Sequence, residues 1–421
     1  MVEKTHSYHI WTIGCQMNKA ESERLGSLLE QRGYRSTTEP EKADLIILNT
    51  CVVRESAENR VINKLHLLRR LKQRRPELQI AVTGCFVSPD QTALMKTFPY
   101  IDFFFMAGEL PPWLHKINAA DLIPQISPVI VYIPITQGCN NFCTYCIVPY
   151  RRGRERSRPL TEITVEAQEL VRRGAKEIIL LGQNVDSYGH DLPDKPDLAD
   201  LLLDLSEIDD LVRLRFLTSH PKDMKQKLIH TIASLDKVCE HINLPVQAGD
   251  DTILSAMNRG YDTARYRRLV AEIRESIPHI ALSTDLIVGF PGESDEQFRH
   301  SVDLLSEIRY DTVHVACYSP RAGTIAAKMP DDVPASEKNR RLHVIEELQE
   351  DIVTDINSRL LGRTVDVLVE GKTKGKWRGR TRSDKLVFFD APGDYQGLLV
   401  NIRIDKTGPW SLQGILIRPR E

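Results

Sequence analysis

The sequence has no apolar stretch near the roughly 18 residues that cross a bilayer, no low-complexity tract, and no repeat beyond a strand–helix alternation. A helical membrane protein is therefore excluded. The segment Met1 to Trp11 carries charges and His but no apolar core of a signal peptide, so a cytoplasmic location is expected. Charge of neither sign is in excess: 56 Lys+Arg face 58 Asp+Glu, a net −2. That balance excludes a strongly basic whole-chain nucleic-acid binder and leaves room for a local basic patch. Residues 363–421 hold such a bias, with 12 Lys+Arg against 7 Asp+Glu. What is present is an ordinary globular chain of 421 residues, 41% hydrophobic. Such a length makes two to three domains whose cores need no covalent staples.

Eight cysteines in a reducing compartment are not read as disulfides. Cys239 and Cys317 fit small buried hydrophobes. The other six are placed differently. Residues 8–120 alternate strand and helix: strands Tyr8–Ile13, Asp44–Asn49 and Gln79–Thr83, with helices Glu21–Gln31 and Ala57–Arg75 between them. Such alternation predicts a flavodoxin-like parallel α/β domain with buried strands. Cys15, Cys51 and Cys85 each lie just past the carboxyl end of one of these strands. In open parallel sheets those ends share the edge where ligands bind. The fold thus predicts three thiols at one edge and a shared metal site.

Pro111, Pro112, Pro124 and Pro128 mark a linker over 111–128. Six further strand–helix units follow, ending with strand Thr312–Tyr318, which suits a partial (β/α)6 barrel. Ala335–Leu361 reads as a long polar helix stopped by Gly362. Five short strands close the chain: Val365–Glu370, Lys376–Thr381, Leu386–Asp390, Leu398–Ile404 and Gly414–Ile417. They predict a small β-barrel. The expected domains are 1–122, 123–361 and 362–421.

Cys139, Cys143 and Cys146 form C-x3-C-x2-C directly after the first barrel strand. Structural zinc takes four ligands, commonly in two pairs, and no second pair is present. Three thiolates suit a 4Fe–4S cluster with one open iron, with zinc as the alternative. Gly138 to Tyr150 resembles the cluster loop of the radical S-adenosylmethionine enzymes, and more narrowly of the methylthiotransferases. Thr12 to Asn18, Asn49-Thr50-Cys51, Thr83-Gly84-Cys85, Leu181 to Val185, Leu244 to Gly249 and Gly289 to Glu293 are similar to further motifs of that family. The last domain resembles a TRAM module, an RNA-binding barrel. Gln183 to Gly189 and Tyr150 to Ser157 look most like the branch acting on N6-dimethylallyladenosine in tRNA.

The resemblance implies a transferase with two 4Fe–4S clusters and S-adenosylmethionine. Cys139, Cys143 and Cys146 would hold the cluster that binds and cleaves S-adenosylmethionine. Cys15, Cys51 and Cys85 would hold an auxiliary cluster that supplies or relays sulfur. Tyr145 would flank the adenine, and Gly182, Gln183 and Asn184 would contact the methionine end. The product would be the 2-methylthio derivative of N6-dimethylallyladenosine at tRNA position 37. Partners would be the tRNA anticodon stem-loop, an unidentified electron donor and an unidentified sulfur source, with the chain acting as a monomer. The same chemistry on threonylcarbamoyladenosine or on a ribosomal protein stays open, as does a zinc-stabilised, non-enzymatic RNA-binding scaffold.

Two basic stretches are candidate RNA contacts: Arg151, Arg152, Arg154, Arg156 and Arg158 after the cysteine loop, and Lys372, Lys374, Lys376, Arg378, Arg380 and Arg382 with Trp377 in the last domain. His220, Asp250, Asp251 and Asp285 could touch substrate or serve structure, and receive no role.

Overall fold

The computed structural model describes residues 6–52, 55–114, 123 and 127–419. Most of the expected linker lies outside the described residues. The first domain is one parallel sheet of strands β1 (Ser7–Thr12), β2 (Arg35–Ser36), β3 (Leu45–Thr50), β4 (Gln79–Gly84) and β5 (Phe103–Phe104), in the order β2-β1-β3-β4-β5. β3 is buried along its whole length because helices cover both faces of the sheet. Helix Gln16–Gln31 starts at Cys15 and helix Glu55–Arg74 follows Cys51.

The central domain contains β6 (Ile130–Pro134), β7 (Thr136–Gln137), β8 (Arg156–Ser157), β9 (Glu177–Leu181), β10 (Arg213–Phe216), β11 (His241–Asn243), β12 (Ala281–Val288) and β13 (Thr312–Cys317). Six of these form two parallel three-stranded sheets, β10-β9-β6 and β11-β12-β13. A parallel bridge from Leu214 to Val238 joins them into the expected partial barrel. β7 and β8 form a small antiparallel ribbon beside it. Along β6 and β9, alternate residues face opposite ways. Val131, Ile133, Ile178 and Leu180 join the large core. Ile130, Tyr132, Ile179 and Leu181 instead pack against Met17 and Ala20 of helix Gln16–Gln31. The first domain thus covers part of the barrel's other face.

The last domain is a closed barrel of β14 (Thr364–Thr373), β15 (Lys376–Arg380), β16 (Leu386–Phe389), β17 (Leu399–Thr407) and β18 (Leu412–Pro419). It docks at the amino ends of the central strands. Arg213 and Arg215, at most 2% exposed, donate to the carbonyls of Arg380, Thr381 and Arg382 at 2.6–2.7 Å. Glu177 pairs with Arg215 at 2.6 Å, and Asp366 with Arg213 at 3.1 Å. Lys385 reaches Asp311 at 2.7 Å. Among the described residues, no helix is long and apolar enough to cross a membrane.

Candidate functional site

The C-x3-C-x2-C loop lies at the carboxyl edge of the central barrel and is fastened from several sides. Gly138 N–H donates to Gln183 Oε1 at 2.6 Å, and Cys139 N–H to the Gly153 carbonyl at 3.2 Å. Thr144 bonds Met257 and Ala256 carbonyls, while Asn258 Nδ2 holds the carbonyls of Asn141 and Phe142. Lys222 Nζ reaches Asn141 Oδ1 at 2.5 Å. Loops that follow three different strands therefore fix one short segment.

The thiols of this loop are screened from water. Cys139 and Cys143 are buried and Cys146 is half-buried. Burial, with Cys143 and Cys139 adding, pushes the Cys146 thiol up to about 12. Burial also raises Cys139. Thiolates in such surroundings need a cation to form. One permanent cation is already present: Arg259 donates to Cys143 Sγ and to Tyr145 Oη, each at 3.4 Å. Burial opposes its charge, yet Tyr145, Tyr261 and Cys143 hold Arg259 above its ordinary value. Arg259 is not legible as a site residue in the sequence, since it follows a short helix 116 positions from Cys143.

The second trio assembles at the edge of the first sheet. Cys51 and Cys85 are buried and Cys15 is exposed. A Cβ added at Gly14, where φ is +157°, would stand 2.9 Å from Cys51 Cβ, and one at Gly84 would stand 2.2 Å from the Thr50 carbonyl. The strand ends therefore approach too closely for any residue but glycine. Asn18, fully buried, ties them: Nδ2 donates to Asn49 Oδ1 at 2.8 Å and to the Thr50 carbonyl at 3.0 Å. Burial raises the Cys85 thiol against the pull of Arg152, with the nearby Cys15 adding.

The segment after the barrel's cysteine loop reaches the sheet trio across the domain seam. Ile147, next to Cys146, packs on Cys85 and Val52. Arg152, six residues after Cys146, donates Nε to Cys85 Sγ at 3.2 Å and pairs with Glu21 at 2.5 Å. Among the described residues, no three His, Cys, Asp or Glu converge as closely as one bare ion requires. Zinc draws its thiolates to about 2.3 Å from a common point. A four-iron cluster instead takes each thiolate at a separate iron. The mostly buried sulfurs, with one guanidinium on a sulfur of each trio, are compatible in chemistry with thiolate-held clusters.

The structure places the other expected residues as follows. Gly182 gives room to Thr136, whose Cγ2 would lie 2.4 Å from an added Cβ. Gln183 holds Gly138, and Asn184 Nδ2 bonds Asp223 at 2.7 Å. Tyr145 packs on the central core. Asp250 caps helix Asp251–Ala256 through the N–H groups of Thr252 and Ile253, and Asp251 accepts from Thr263 N–H. Asp285 accepts from Asn243 Nδ2 at 3.3 Å.

Several residues expected to contact RNA are engaged within the protein. Arg152 is spent at the seam. Arg158 bonds the Pro134 carbonyl and pairs with Glu166 at 2.5 Å. Arg382 clamps Glu240 and the carbonyls of Asp236 and Val238. Arg380 is shared between Glu370 and Asp384. Trp377 is 4% exposed, sits in the small barrel's core and donates Nε1 to the Ala391 carbonyl. Lys372 lies over its ring at 4.3 Å. Arg151 is half-buried, whereas Arg154, Arg156, Lys374, Lys376 and Arg378 are exposed. Arg154 stacks on Phe142 at 4.3 Å. The exposed aromatic of the small barrel is Trp410, at 63%, on a turn pinned by Asn357 Nδ2 to the carbonyls of Gly408 and Pro409.

Three family models match the chain: the Radical SAM superfamily over 133–305, Uncharacterized protein family UPF0004 over 7–106, and the TRAM domain over 358–417. Among relatives, a tRNA-2-methylthio-N(6)-dimethylallyladenosine synthase of Dehalococcoides mccartyi is 57% identical over 98% of both chains. Relatives with the same name from Herpetosiphon aurantiacus and Carboxydothermus hydrogenoformans are 50% and 44% identical, over at least 97% of each chain. A radical S-adenosylmethionine methyltransferase from Kitasatospora setae, solved with cobalamin and a 4Fe–4S cluster bound, shares the fold. Its TM-score is 0.56 at 14% identity, over 77% of this chain and 74% of that one. With near-complete coverage at such identity, this chain belongs to the tRNA-2-methylthio-N(6)-dimethylallyladenosine synthase family of radical S-adenosylmethionine methylthiotransferases.

Proposed function

We propose that this chain converts N6-dimethylallyladenosine at tRNA position 37 to its 2-methylthio derivative. The observation that carries this reading is that Ile147 and Arg152, just after the barrel's cysteine loop, reach Cys85 of the sheet trio across one seam. Carbon 2 of adenine bears an unactivated C–H bond that no side-chain base removes usefully, so a cofactor must carry the step. When bound, a reduced 4Fe–4S cluster supplies the electron that cleaves S-adenosylmethionine, and a second cluster offers a site for sulfur.

In this reading Cys139, Cys143 and Cys146 hold the first cluster, and Cys15, Cys51 and Cys85 the second. Arg259 and Arg152 each place a guanidinium on one sulfur of a trio, which offsets the charge of buried thiolates. Gln183 sets the start of the loop, and Tyr145 and Asn184 would contact S-adenosylmethionine. Burial of the thiols keeps water from reactive intermediates.

The RNA is held by exposed groups in two places. Arg154 and Arg156 follow the cysteine loop at the carboxyl edge. Lys374, Lys376, Arg378 and Trp410 lie on the small barrel, which docks at the amino ends of the strands. The enzyme acts as a cytoplasmic monomer with a separate reductant. Reconstituted protein is to be given tRNA carrying N6-dimethylallyladenosine or threonylcarbamoyladenosine, and the nucleosides read by mass spectrometry. A 2-methylthio product from the first tRNA supports the reading. Preferred turnover of the second overturns the substrate and leaves the reaction class.

A further inference from the structure

The mechanism above leaves a buried histidine at the barrel's carboxyl edge unused. His220 is 5% exposed and follows β10 in Ser219-His220-Pro221. Its Nδ1 accepts the Lys222 backbone N–H at 3.2 Å, so the ring proton sits on Nε2. That Nε2–H is buried without any partner. Buried donors are nearly always paired. The backbone feeding it is also unusual: Thr218 has φ +73°, a region that β-branched residues rarely adopt. An unpaired donor beside a strained residue marks a segment shaped for something besides stability.

The turn is nonetheless firmly set. Ser219 Oγ and His220 N–H donate to the two oxygens of Asp186, at 3.0 and 2.9 Å. Asp223 N–H bonds the His220 carbonyl, and Asp223 accepts from Asn184 Nδ2. Asn184 Oδ1 is itself a buried acceptor without a partner. One hydrogen-bonded knot thus presents an open donor and an open acceptor at the ends of β9 and β10. The knot borders the barrel's cysteine loop. Lys222 binds Asn141 of that loop, and the Tyr261 ring stands edge-on to His220 at 5.8 Å. Tyr261 accepts from Arg259, which touches Cys143. Burial first, then Arg259, Lys222 and Arg265, hold the imidazole down to about 2. The ring is therefore a neutral donor; Arg259, Lys222 and Arg265 are the cations near it, while the carboxylates of Asp186 and Asp223 are held by other donors in the knot.

We propose that His220 Nε2–H is the hydrogen-bond donor for the carboxylate of S-adenosylmethionine. This rests on the radical S-adenosylmethionine reading given above. The role is binding and orientation, not proton transfer, because the ring stays neutral.

The clean variant is H220N. Its side-chain oxygen keeps the bond to the Lys222 N–H in an Asx turn, and it lacks the distal donor. Wild type and H220N are to be reconstituted anaerobically, with binding of S-adenosylmethionine and its decarboxylated analogue measured by equilibrium dialysis. Melting of both proteins without clusters is recorded alongside. The proposal expects H220N to keep its iron, to melt no lower than wild type, and to bind S-adenosylmethionine about tenfold more weakly or worse, as loss of a charge-assisted bond implies. The decarboxylated analogue should bind both proteins alike. Equal binding of S-adenosylmethionine to both proteins overturns the proposal. An equal loss for both ligands places the contact elsewhere and overturns it too. Lost iron or a lower melting temperature in H220N makes His220 structural and does the same. If wild type binds no S-adenosylmethionine, the functional reading fails and this proposal with it.

Discussion

The two cysteine trios use the same donors on different scaffolds. The barrel trio is contiguous, eight residues from Cys139 to Cys146, and its geometry is imposed by bonds from loops after other strands. The sheet trio is scattered over 71 residues from Cys15 to Cys85, and its geometry is imposed by β-strand register. The barrel trio has two buried thiols and a half-buried one, whereas the sheet trio keeps Cys15 exposed. A contiguous loop can be shaped to grip one cofactor firmly. A site made of three strand ends leaves an open side, which suits a centre that must exchange sulfur with its surroundings. Each trio has one guanidinium on one sulfur, but Arg259 belongs to the barrel's own interior while Arg152 crosses the seam.

The largest effect separates the trios outright. Cys139→Ala should lower bound iron from about eight to about four per chain and bring S-adenosylmethionine cleavage to background. Iron analysis and quantification of 5′-deoxyadenosine test this together. Cleavage surviving in that variant breaks the assignment of the barrel trio.

Arg152→Met sharpens the contrast between the two guanidinium groups. It leaves Glu21, with its side chain 13% exposed, without a partner at the seam. Breaking a buried ion pair costs about 3–5 kcal/mol. The loss should fall on the sheet trio, with iron dropping toward about four while cleavage persists. Denaturant midpoints and iron content check it, and equal loss from both trios would contradict the asymmetry.

A smaller effect tests whether RNA is gripped away from the thiols. Neutralising Lys374, Lys376 and Arg378 should reduce the salt slope of tRNA binding by about two to three. Trp410→Ala should weaken binding by about 1–3 kcal/mol if a base stacks there. Neither change should alter iron content. Removing the whole small barrel is a poorer test, because Arg213 and Arg215 would lose the carbonyls they bind.

The smallest effect is pH-dependent. Burial holds His220 and His241 down to about 2 and about 4, against about 6.5 in an unfolded chain. The unfolded chain takes up protons that the fold refuses. This contribution to stability is complete above pH 6.5 and is lost as pH falls through the acid range toward the folded values. The urea midpoint of cluster-free protein should fall between pH 7 and 5, and less steeply in an H220N/H241N variant. Identical slopes would remove these histidines from the account.

Much of the fold is legible because its signals are local. Continuous apolar strands such as Leu45–Thr50 and the helices between them define the sheet, and strand ends then locate Cys15, Cys51 and Cys85. The contiguous trio is legible from spacing alone. Which basic residues stay free for RNA is less legible, because charge in sequence does not say where a side chain is spent. Arg152 is taken by Glu21, 131 positions away, and Arg382 by Glu240, 142 positions away. Trp377 is a different case. Strand alternation already sets it opposite Lys376 and Arg378, and the inward side of a small barrel is its core. Trp410 sits on a turn whose rigidity comes from Asn357, which no sequence pattern reveals.

The central claim is that the two trios divide the work. Its most direct test is Cys51→Ala in a single reaction with tRNA bearing N6-dimethylallyladenosine, reading 5′-deoxyadenosine and the methylthiolated nucleoside by mass spectrometry from the same tube. 5′-Deoxyadenosine should stay near the wild-type level while methylthiolated product falls to background. Product formed at the wild-type rate, or cleavage lost in a folded variant that keeps the barrel cluster, would contradict it.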